Sequence, residues 1–309
     1  MTVGVVIPLF DKERTILRSI QSVLEQTYQN FQIVVVDDGS TDDSLRIVKE
    51  LSDKRITIHS QTNSGVSSAR NCGANLLSTE WVCFLDGDDE YESNFLETIV
   101  AATKSHPDQQ LVFLGTGYRS SSEKADSAKS NQSTVVDFFE QFTGQATPIC
   151  SSSVCVRREG FLAQGGYSEA QSQFEDWGLY FTMAMSGKFA CVPAQLAVYH
   201  EDERSGSNSH DFGKLSGNAE LFLQKVYADL ENGETIDSKV VRSVKAAACR
   251  FYQSITSYMI RHGARREVLR LILNQKAARR LDWKLPLFSF RFWAHMLVPD
   301  CIKRLVRST

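Results

Sequence analysis

Short apolar runs alternate with amphipathic segments in the first part of the chain. Runs at 3–7, 31–36, 56–59 and 81–85 each end in polar residues, and the segments between them repeat apolar residues at the spacing of a helix face. Strands too apolar to alternate are typical of a parallel sheet covered by helices on both faces. The pattern therefore predicts an α/β fold with a mostly parallel central sheet.

The pattern becomes less regular after the fourth apolar run. A further strand is predicted over 151–156, whereas the Ser-, Lys- and Ala-rich segment 119–133 has no periodicity and is expected to form a surface loop. From about residue 211 onward, apolar residues recur at helical spacing. We therefore predict an α/β domain over residues 1–210 and a helical C-terminal region over residues 211–309.

Charge is distributed unevenly along an otherwise ordinary composition. The 309 residues are 42% hydrophobic and 23% charged, with a net charge of −3, as in many globular proteins. Residues 239–309 hold 16 Lys and Arg against three acidic residues, whereas residues 1–238 hold 18 against 34. This asymmetry predicts an acidic main body and a basic attachment segment.

The segment 283–298 mixes Trp and Phe with Lys and Arg, a composition typical of an element that lies on an anionic membrane surface. A tail that wraps the first domain, or that forms a dimer contact, is the alternative. We favour the membrane because the excess positive charge exceeds what packing requires. We predict no nucleic-acid partner, since no recognised nucleic-acid-binding module is visible.

The chain shows no pattern of export or membrane spanning. We expect no signal peptide, since the first residues lack a basic n-region and a cleavage site, and no apolar run approaches the roughly 20 residues of a transmembrane helix. The seven cysteines are scattered and include no C-x-x-C pair, which favours reduced thiols over disulfides or a zinc site. We therefore expect a cytoplasmic protein, peripheral on the inner face of the cell membrane.

Carboxylates gather where the predicted strands end. The first strand leads into 8–11, the second into Asp37 and Asp38, and the fourth into the acidic cluster 86–89. Ligands of open α/β sheets bind outside the carboxyl ends of the strands, so we expect these residues along one edge. A divalent cation that bridges to ligand phosphates would relieve the repulsion within the cluster. Taken alone, each group is equally explained as a solvated turn or helix entry.

These strand ends suit a nucleotide diphosphate. An Asp accepts hydrogen bonds from a base N–H or a ribose hydroxyl, and a metal on Asp88 would neutralise the diphosphate. Arg70 offers a planar cation for phosphate, and an Arg paired with a nearby acid is the alternative. The glycine-rich fingerprints of dinucleotide and P-loop sites do not follow the first strand, which disfavours both classes.

Four motifs in this order resemble family 2 of the inverting nucleotide-sugar glycosyltransferases. They are Val-Val-Ile-Pro-Leu-Phe-Asp at 5–11, Val-Asp-Asp-Gly-Ser-Thr-Asp at 36–42, Asn-Ser-Gly-Val-Ser-Ser-Ala-Arg-Asn-Cys-Gly at 63–73 and Phe-Leu-Asp-Gly-Asp-Asp at 84–89. The resemblance extends from about residue 3 to about residue 207, and the ordered set is more specific than any one piece. It implies a single nucleotide-binding domain of the GT-A fold.

The resemblance also implies roles for individual residues. Asp38 would hold the uracil or other base, Asp86 the ribose, and Asp88 a Mn²⁺ or Mg²⁺ ion on the diphosphate. Asp11 departs from the family, in which Asn is common, so the contacts of its loop stay open. The full set expected at the nucleotide is Pro8, Phe10, Asp11, Asp38, Asn63, Arg70, Asp86 and Gly87.

The acceptor side is implied by Phe-Glu-Asp-Trp-Gly-Leu at 174–179. Asp176 matches the general base of the family, which takes the proton of the acceptor hydroxyl as the new bond forms. Glu175 would bind an acceptor hydroxyl or support a residue that does, and Trp177 would stack on a sugar or fill the core. His200 resembles a position that joins the metal or diphosphate in some members, with a hydrogen-bonded structural role as the alternative.

Together these features predict an inverting, metal-dependent hexosyltransferase. It would move a sugar from a nucleotide donor, expected to be a UDP-sugar, to a hydroxyl of a glycan or lipid-linked oligosaccharide. Nucleotidyl transfer to a sugar phosphate is the alternative reaction, although the Gly-rich basic loop typical of it is missing after the first strand. A catalytically degenerate glycan-binding module is the other alternative, because a fold does not guarantee its chemistry.

Overall fold

The computed structural model describes residues 1–107, 110–126, 128–143, 149–200, 211–232, 236–264 and 266–268. The chain divides into two compact units between residues 208 and 209, and each is described by itself. The segment 283–298, which the sequence predicts at a membrane surface, lies outside the described residues. The six cysteines within the described ranges are free thiols.

Four parallel strands form one half of the sheet in the first unit. In chain order the elements are β1 (Val3–Leu9), α1 (Ile16–Leu24), β2 (Phe31–Asp37), α2 (Ser44–Lys49), β3 (Ile56–Ser60), α3 (Val66–Leu76) and β4 (Trp81–Phe84). The strands lie in the order β3-β2-β1-β4. The chain thus passes to the other side of β1 after β3, and the carboxyl ends of β1 and β4 flank the place where such sheets bind ligands.

The other half of the sheet mixes strand directions. Its elements are β5 (Glu90–Tyr91), α4 (Phe95–Ser105), β6 (Leu111–Ser120), β7 (Thr134–Val136), α5 (Phe138–Thr143), β8 (Val154–Arg157), α6 (Arg158–Ala163), α7 (Glu175–Ser186) and β9 (Lys188–Tyr199). β8 lies antiparallel between β4 and β6, and β6 is parallel to β9. β5 and β7 both pair antiparallel with β9. The described residues therefore confirm the α/β fold with a central sheet of mostly parallel strands.

Two boundaries differ from the sequence prediction. The strand expected over 151–156 begins only at Val154, because Ser151–Ser153 form a 3₁₀ turn. The loop expected over 119–133 begins later, since β6 continues to Ser120. Both differences arise where strands pair with partners distant in sequence, which local composition does not report.

The apolar runs become the core, as their composition predicts. Val5, Ile33 and Cys83 in three neighbouring strands are fully buried, and Ile16 and Ile20 bury one face of α1 against them. Full burial of each Val or Ile side chain stabilises the fold by about 1.5–3 kcal/mol. The rigid sheet therefore provides a fixed base for the loops at its carboxyl edge.

The second unit is helical in its described part. It contains α8 (Phe212–Asn232) and α9 (Ser238–Arg261), and the rings of Phe222 and Phe251 lie 4.2 Å apart between them. α9 contains no Asp or Glu, and it exposes Lys239, Arg242, Arg250 and Arg261. Every helix in the described ranges is too short or too polar to cross a membrane.

Candidate active site

Asp38 organises the loop that precedes α3. Its buried carboxylate accepts hydrogen bonds from Gln61 Nε2, from the backbone N–H of Ser64 and from that of Gly65, each at 2.8 Å. A carboxylate has about four acceptor positions, so these three donors leave one for a ligand N–H. Gly39 is required beside it, because φ is +76° and a Cβ would lie 3.0 Å from Asn63 N.

Asp11 ties the loop after β1 to the loop after β2. Its backbone has φ of +50°, a left-handed conformation that Asp tolerates better than most residues. Asp11 Oδ1 accepts a hydrogen bond of 2.7 Å from the backbone N–H of Thr41, and the Asp11 N–H donates to Ser40 Oγ at 3.3 Å. The Asp11 side chain and backbone therefore fix two loops to each other.

Arg70 connects the end of β4 with the start of α7. Its side chain is only 4% exposed, and it donates from Nη2 to Asp86 Oδ1 at 2.6 Å and from Nη1 to Glu175 Oε1 at 3.2 Å. The guanidinium carbon also lies 5.1 Å from the centre of the Tyr167 ring. Arg70 thus has the paired arrangement that the sequence left as an alternative, and a phosphate contact stays a prediction.

Asp89 fastens the acidic loop, residues 86–89 after β4, to the other half of the sheet. Its buried carboxylate accepts hydrogen bonds from Ser152 Oγ at 2.6 Å and from the His200 backbone N–H at 3.2 Å. Ser152 Oγ also accepts a hydrogen bond from the Asp86 N–H at 3.2 Å. Burial, followed by repulsion from Asp86, raises the pKa of Asp89 to about 8. The hydrogen bonds of Asp89 therefore give it a structural role in holding the acidic loop.

Two side chains from the turn before α1 and one from its first turn hold the same loop from the other side. The Lys12 ammonium pairs with the Asp88 carboxylate, and Thr15 Oγ1 donates to the Gly87 carbonyl at 2.8 Å. Arg18 Nη2 donates to the Asp88 carbonyl at 2.6 Å. The sequence prediction missed Lys12 and Ser152, because neither has a spacing that marks a partner so distant in the chain.

Gly87 is fixed by close packing. A Cβ at this position would lie 3.2 Å from the Pro8 carbonyl oxygen and 3.6 Å from Ile16 Cδ1, which leaves little room for a side chain. Phe10, by contrast, is exposed, and so is Asn63. The nucleotide roles predicted for Pro8, Phe10, Asn63 and Gly87 remain predictions.

His200 lies at the edge of the acidic loop. Its Nε2 is 2.5 Å from Glu90 Oε1, and the Arg18 Nε lies 3.1 Å from the same oxygen. This arrangement matches the hydrogen-bonded structural role that the sequence left open, and metal ligation by His200 remains a prediction.

The donor chemistry of this edge fits a divalent cation that is completed by a ligand. Among the described residues, no three His, Cys, Asp or Glu side chains are placed to hold an ion by themselves. Asp86 and Asp88 are 32% and 15% exposed and offer hard oxygen atoms. Mg²⁺ is typically held by one or two carboxylates together with phosphate oxygens and water. The site therefore fits a metal that arrives with a diphosphate.

The acceptor-side residues begin α7. Phe174 precedes the helix with φ of +64°, and Glu175 and Asp176 occupy the first turn, where the helix dipole favours anions. Loss of hydration, followed by repulsion from Glu175, outweighs this effect and raises the pKa of Asp176 to about 7. A pKa near neutrality suits a general base. Arg70 and Asp86 also act electrostatically on Asp176: the guanidinium lowers its pKa and the carboxylate raises it.

The connector between α6 and α7, residues 164–174, is held by a residue next to Arg70. Asn71 Nδ2 donates to the Tyr167 carbonyl at 2.9 Å, and the Tyr167 N–H donates to Asn71 Oδ1 at 2.8 Å. Gly166 has φ of +71°, and a Cβ there would lie 2.3 Å from Asn71 Oδ1, so glycine is required. Trp177 is half-buried, and its ring meets Tyr180 edge-on at 6.1 Å. Sugar stacking by Trp177 stays a prediction.

Comparison with known proteins identifies the family of the chain. The pattern described as glycosyl transferase family 2 matches residues 4–163, just over half of the 309 residues. Glycosyltransferase GlyA of Streptococcus pneumoniae is 43% identical over 99 residues, which are 31% of this chain and 14% of GlyA. Putative glycosyltransferase EpsE of Bacillus subtilis is 28% identical over 209 residues, 66% of this chain and 73% of EpsE. The alignment with GlyA thus covers a small part of that relative.

Solved structures support the fold. TarS of Staphylococcus aureus, residues 1–349, in complex with UDP matches with a TM-score of 0.61 and 16% identity over 99% of this chain and 83% of that one. The complex of TarS 1–349 with UDP-GlcNAc matches with a TM-score of 0.60 and 16% identity, over 91% of this chain and 92% of that one. At this identity the likeness concerns the fold alone. The chain belongs to glycosyl transferase family 2, as its motifs predict, and it has the GT-A fold.

Proposed function

We propose that the protein transfers a sugar from a UDP-sugar to a hydroxyl of a glycan or lipid-linked oligosaccharide, with inversion at the anomeric carbon. The observation that carries the proposal is the double ion pair of Arg70, which joins Asp86 on the donor side to Glu175, the neighbour of Asp176. These ion pairs support a shared site for a donor carboxylate and a candidate base 90 residues later in the chain.

The proposed reaction is a single displacement. The acceptor oxygen forms a bond to the anomeric carbon while the bond from that carbon to the diphosphate breaks, and the electron pair stays on the departing UDP. Asp176 accepts the hydroxyl proton, a role for which a pKa of about 7 is suited. The backbone N–H of Trp177 donates to Asp176 Oδ1 at 2.7 Å and so orients this carboxylate.

We propose that Asp88 holds a Mn²⁺ or Mg²⁺ ion, with Asp86 beside it. Such an ion would neutralise charge on the diphosphate. We also propose that Asp86 binds the ribose hydroxyls, a role supported by the hydrogen bond from Arg70 that orients one of its oxygens. His200 would have to leave Glu90 in order to bind the ion.

The UDP portion of the donor is supported by the remaining acceptor position of Asp38 and by the UDP and UDP-GlcNAc complexes of TarS. Because Glu175 is engaged by Arg70, we propose that it supports the base rather than binding the acceptor directly. The exposed cations of α9 support a peripheral contact with anionic lipid.

Sugar transfer from a panel of UDP-sugars to glycan acceptors tests the proposal, with released UDP as the readout. We expect UDP release by the unchanged protein with Mn²⁺, and loss of at least 100-fold of the activity in Asp88→Asn and Asp176→Asn. Asp43→Asn, an exposed acid at the start of α2, is the matched control and should retain activity. Near-native turnover of both site variants, or release of pyrophosphate instead of UDP, would overturn the proposal.

A further inference from the structure

Asp88 already has a cationic partner within the chain. The Lys12 ammonium pairs with Asp88 Oδ2, and the two side chains are 28% and 15% exposed. The backbone N–H of Lys12 donates to Ser44 Oγ at 2.7 Å, which fixes the main chain of this lysine against α2. The backbone from which the ammonium reaches the carboxylate is therefore fixed, and the ion pair is partly buried.

The residues around this pair shape the acidic loop from the α1 side. Thr15 and Arg18 follow Lys12 at intervals of three, and they donate to the Gly87 and Asp88 carbonyls. Arg18 also pairs with Glu90. Ile16, fully buried between these residues, anchors the helix to the core. The turn before α1 and the first turn of α1 thus supply the hydrogen-bond donors of the loop and neutralise part of its charge.

An ammonium and a divalent cation repel each other and compete for the one carboxylate of Asp88, whose Oδ2 the ammonium already contacts. We propose that Lys12 occupies the cation position of Asp88 and that a divalent ion binds only by displacing its ammonium. This inference rests on the proposed function, which makes Asp88 the metal ligand. The negative charge of a nucleotide diphosphate favours the doubly charged ion, so the protein binds metal together with nucleotide and holds it weakly alone.

Titration of Mn²⁺ into the nucleotide-free protein tests the competition. Lys12→Met removes the ammonium and keeps most of the apolar stem, so we expect it to bind Mn²⁺ about tenfold more tightly than the unchanged protein, a difference of about 1.4 kcal/mol. Lys12→Arg keeps the positive charge and should bind Mn²⁺ as weakly as the unchanged protein does. Lys49→Met, which changes an exposed lysine of α2, is the matched control.

Each outcome has a distinct meaning. Equal or weaker Mn²⁺ binding by Lys12→Met would overturn the competition and leave the proposed sugar transfer standing. A parallel titration with UDP present tests the metal site itself, since absence of Mn²⁺ binding to the unchanged protein with UDP would overturn both the metal role of Asp88 and this inference. Lys12→Gln repeats the test with a polar side chain, and a thermal melt of each variant shows that it is folded.

Discussion

Replacing Arg70 with Met would remove the positive charge that Asp86 and Glu175 share. The three side chains are 4%, 32% and 13% exposed, so two carboxylates would lose their partner in a mostly dry environment. Removing one partner of a buried ion pair costs about 3–5 kcal/mol. Because Asp86 is one-third exposed, water compensates it in part, and we expect a loss near the lower limit, about 3 kcal/mol.

The loss is measurable by thermal and urea unfolding. In a unit of about 200 residues each kcal/mol lowers the melting temperature by about 2–4 °C, so Arg70→Met should melt roughly 6–12 °C lower. Arg46→Met, at an exposed ion-paired arginine of α2, is the matched control and should leave the melting temperature nearly unchanged.

A second substitution identifies the cause. If the cost comes from an uncompensated carboxylate, Arg70→Met combined with Glu175→Gln should recover about 1 kcal/mol or more relative to the sum of the two single changes. Strict additivity would refute the ion-pair argument and assign the loss to packing on Tyr167.

Three further predictions concern the base, the connector and the second unit. If Asp176 is the base, kcat/KM should rise with pH to a plateau above about pH 7. The folded protein keeps the Asp176 proton up to about pH 7, whereas the unfolded chain loses it near pH 4, so the free energy of unfolding should fall as the pH rises between these values. Asp176→Asn should reduce this fall in urea melts. A pH-independent rate would contradict the assignment. Gly166→Ala should lower the free energy of unfolding by about 1–3 kcal/mol, because its Cβ meets Asn71 Oδ1 in a left-handed backbone, and an unchanged urea midpoint would contradict this. The full chain should sediment with anionic but not with neutral vesicles. The double variant Arg242→Glu, Arg250→Glu should weaken vesicle binding at least tenfold, since each cation contributes about 1 kcal/mol. Equal sedimentation of the variant and the unchanged protein would exclude α9 from the contact.

The parallel half of the sheet was predictable from the sequence, because the patterns that specify it lie within short segments of the chain. Apolar runs, helical spacing and the polar residues after each run predict the order from β1 to β4, and the acidic strand ends follow from it. The other half depends on pairing between distant segments. Nothing within residues 154–157 shows that they lie antiparallel between β4 and β6. The 3₁₀ turn before them resembles a strand in sequence, because its three serines run directly into the apolar residues that follow.

At the candidate site, residue types were predictable from the sequence and their partners were not. The motifs predict Asp86, Asp88 and Asp176, whereas the ion pairs Arg70–Glu175 and Lys12–Asp88 join residues 105 and 76 positions apart in the chain. Whether a charged side chain is available to a ligand depends on such partners. His200 illustrates this, since its pairing with Glu90 is visible only in three dimensions.

Calorimetric titration of UDP with and without Mn²⁺ tests the central claim most directly, with the unchanged protein compared to Asp88→Asn. The account predicts that the unchanged protein binds UDP more tightly when Mn²⁺ is present, and that Asp88→Asn binds UDP weakly with no gain from the metal. If the unchanged protein does not bind UDP, or if Mn²⁺ tightens UDP binding equally in both proteins, then the acidic loop after β4 is not the donor site and the account is contradicted.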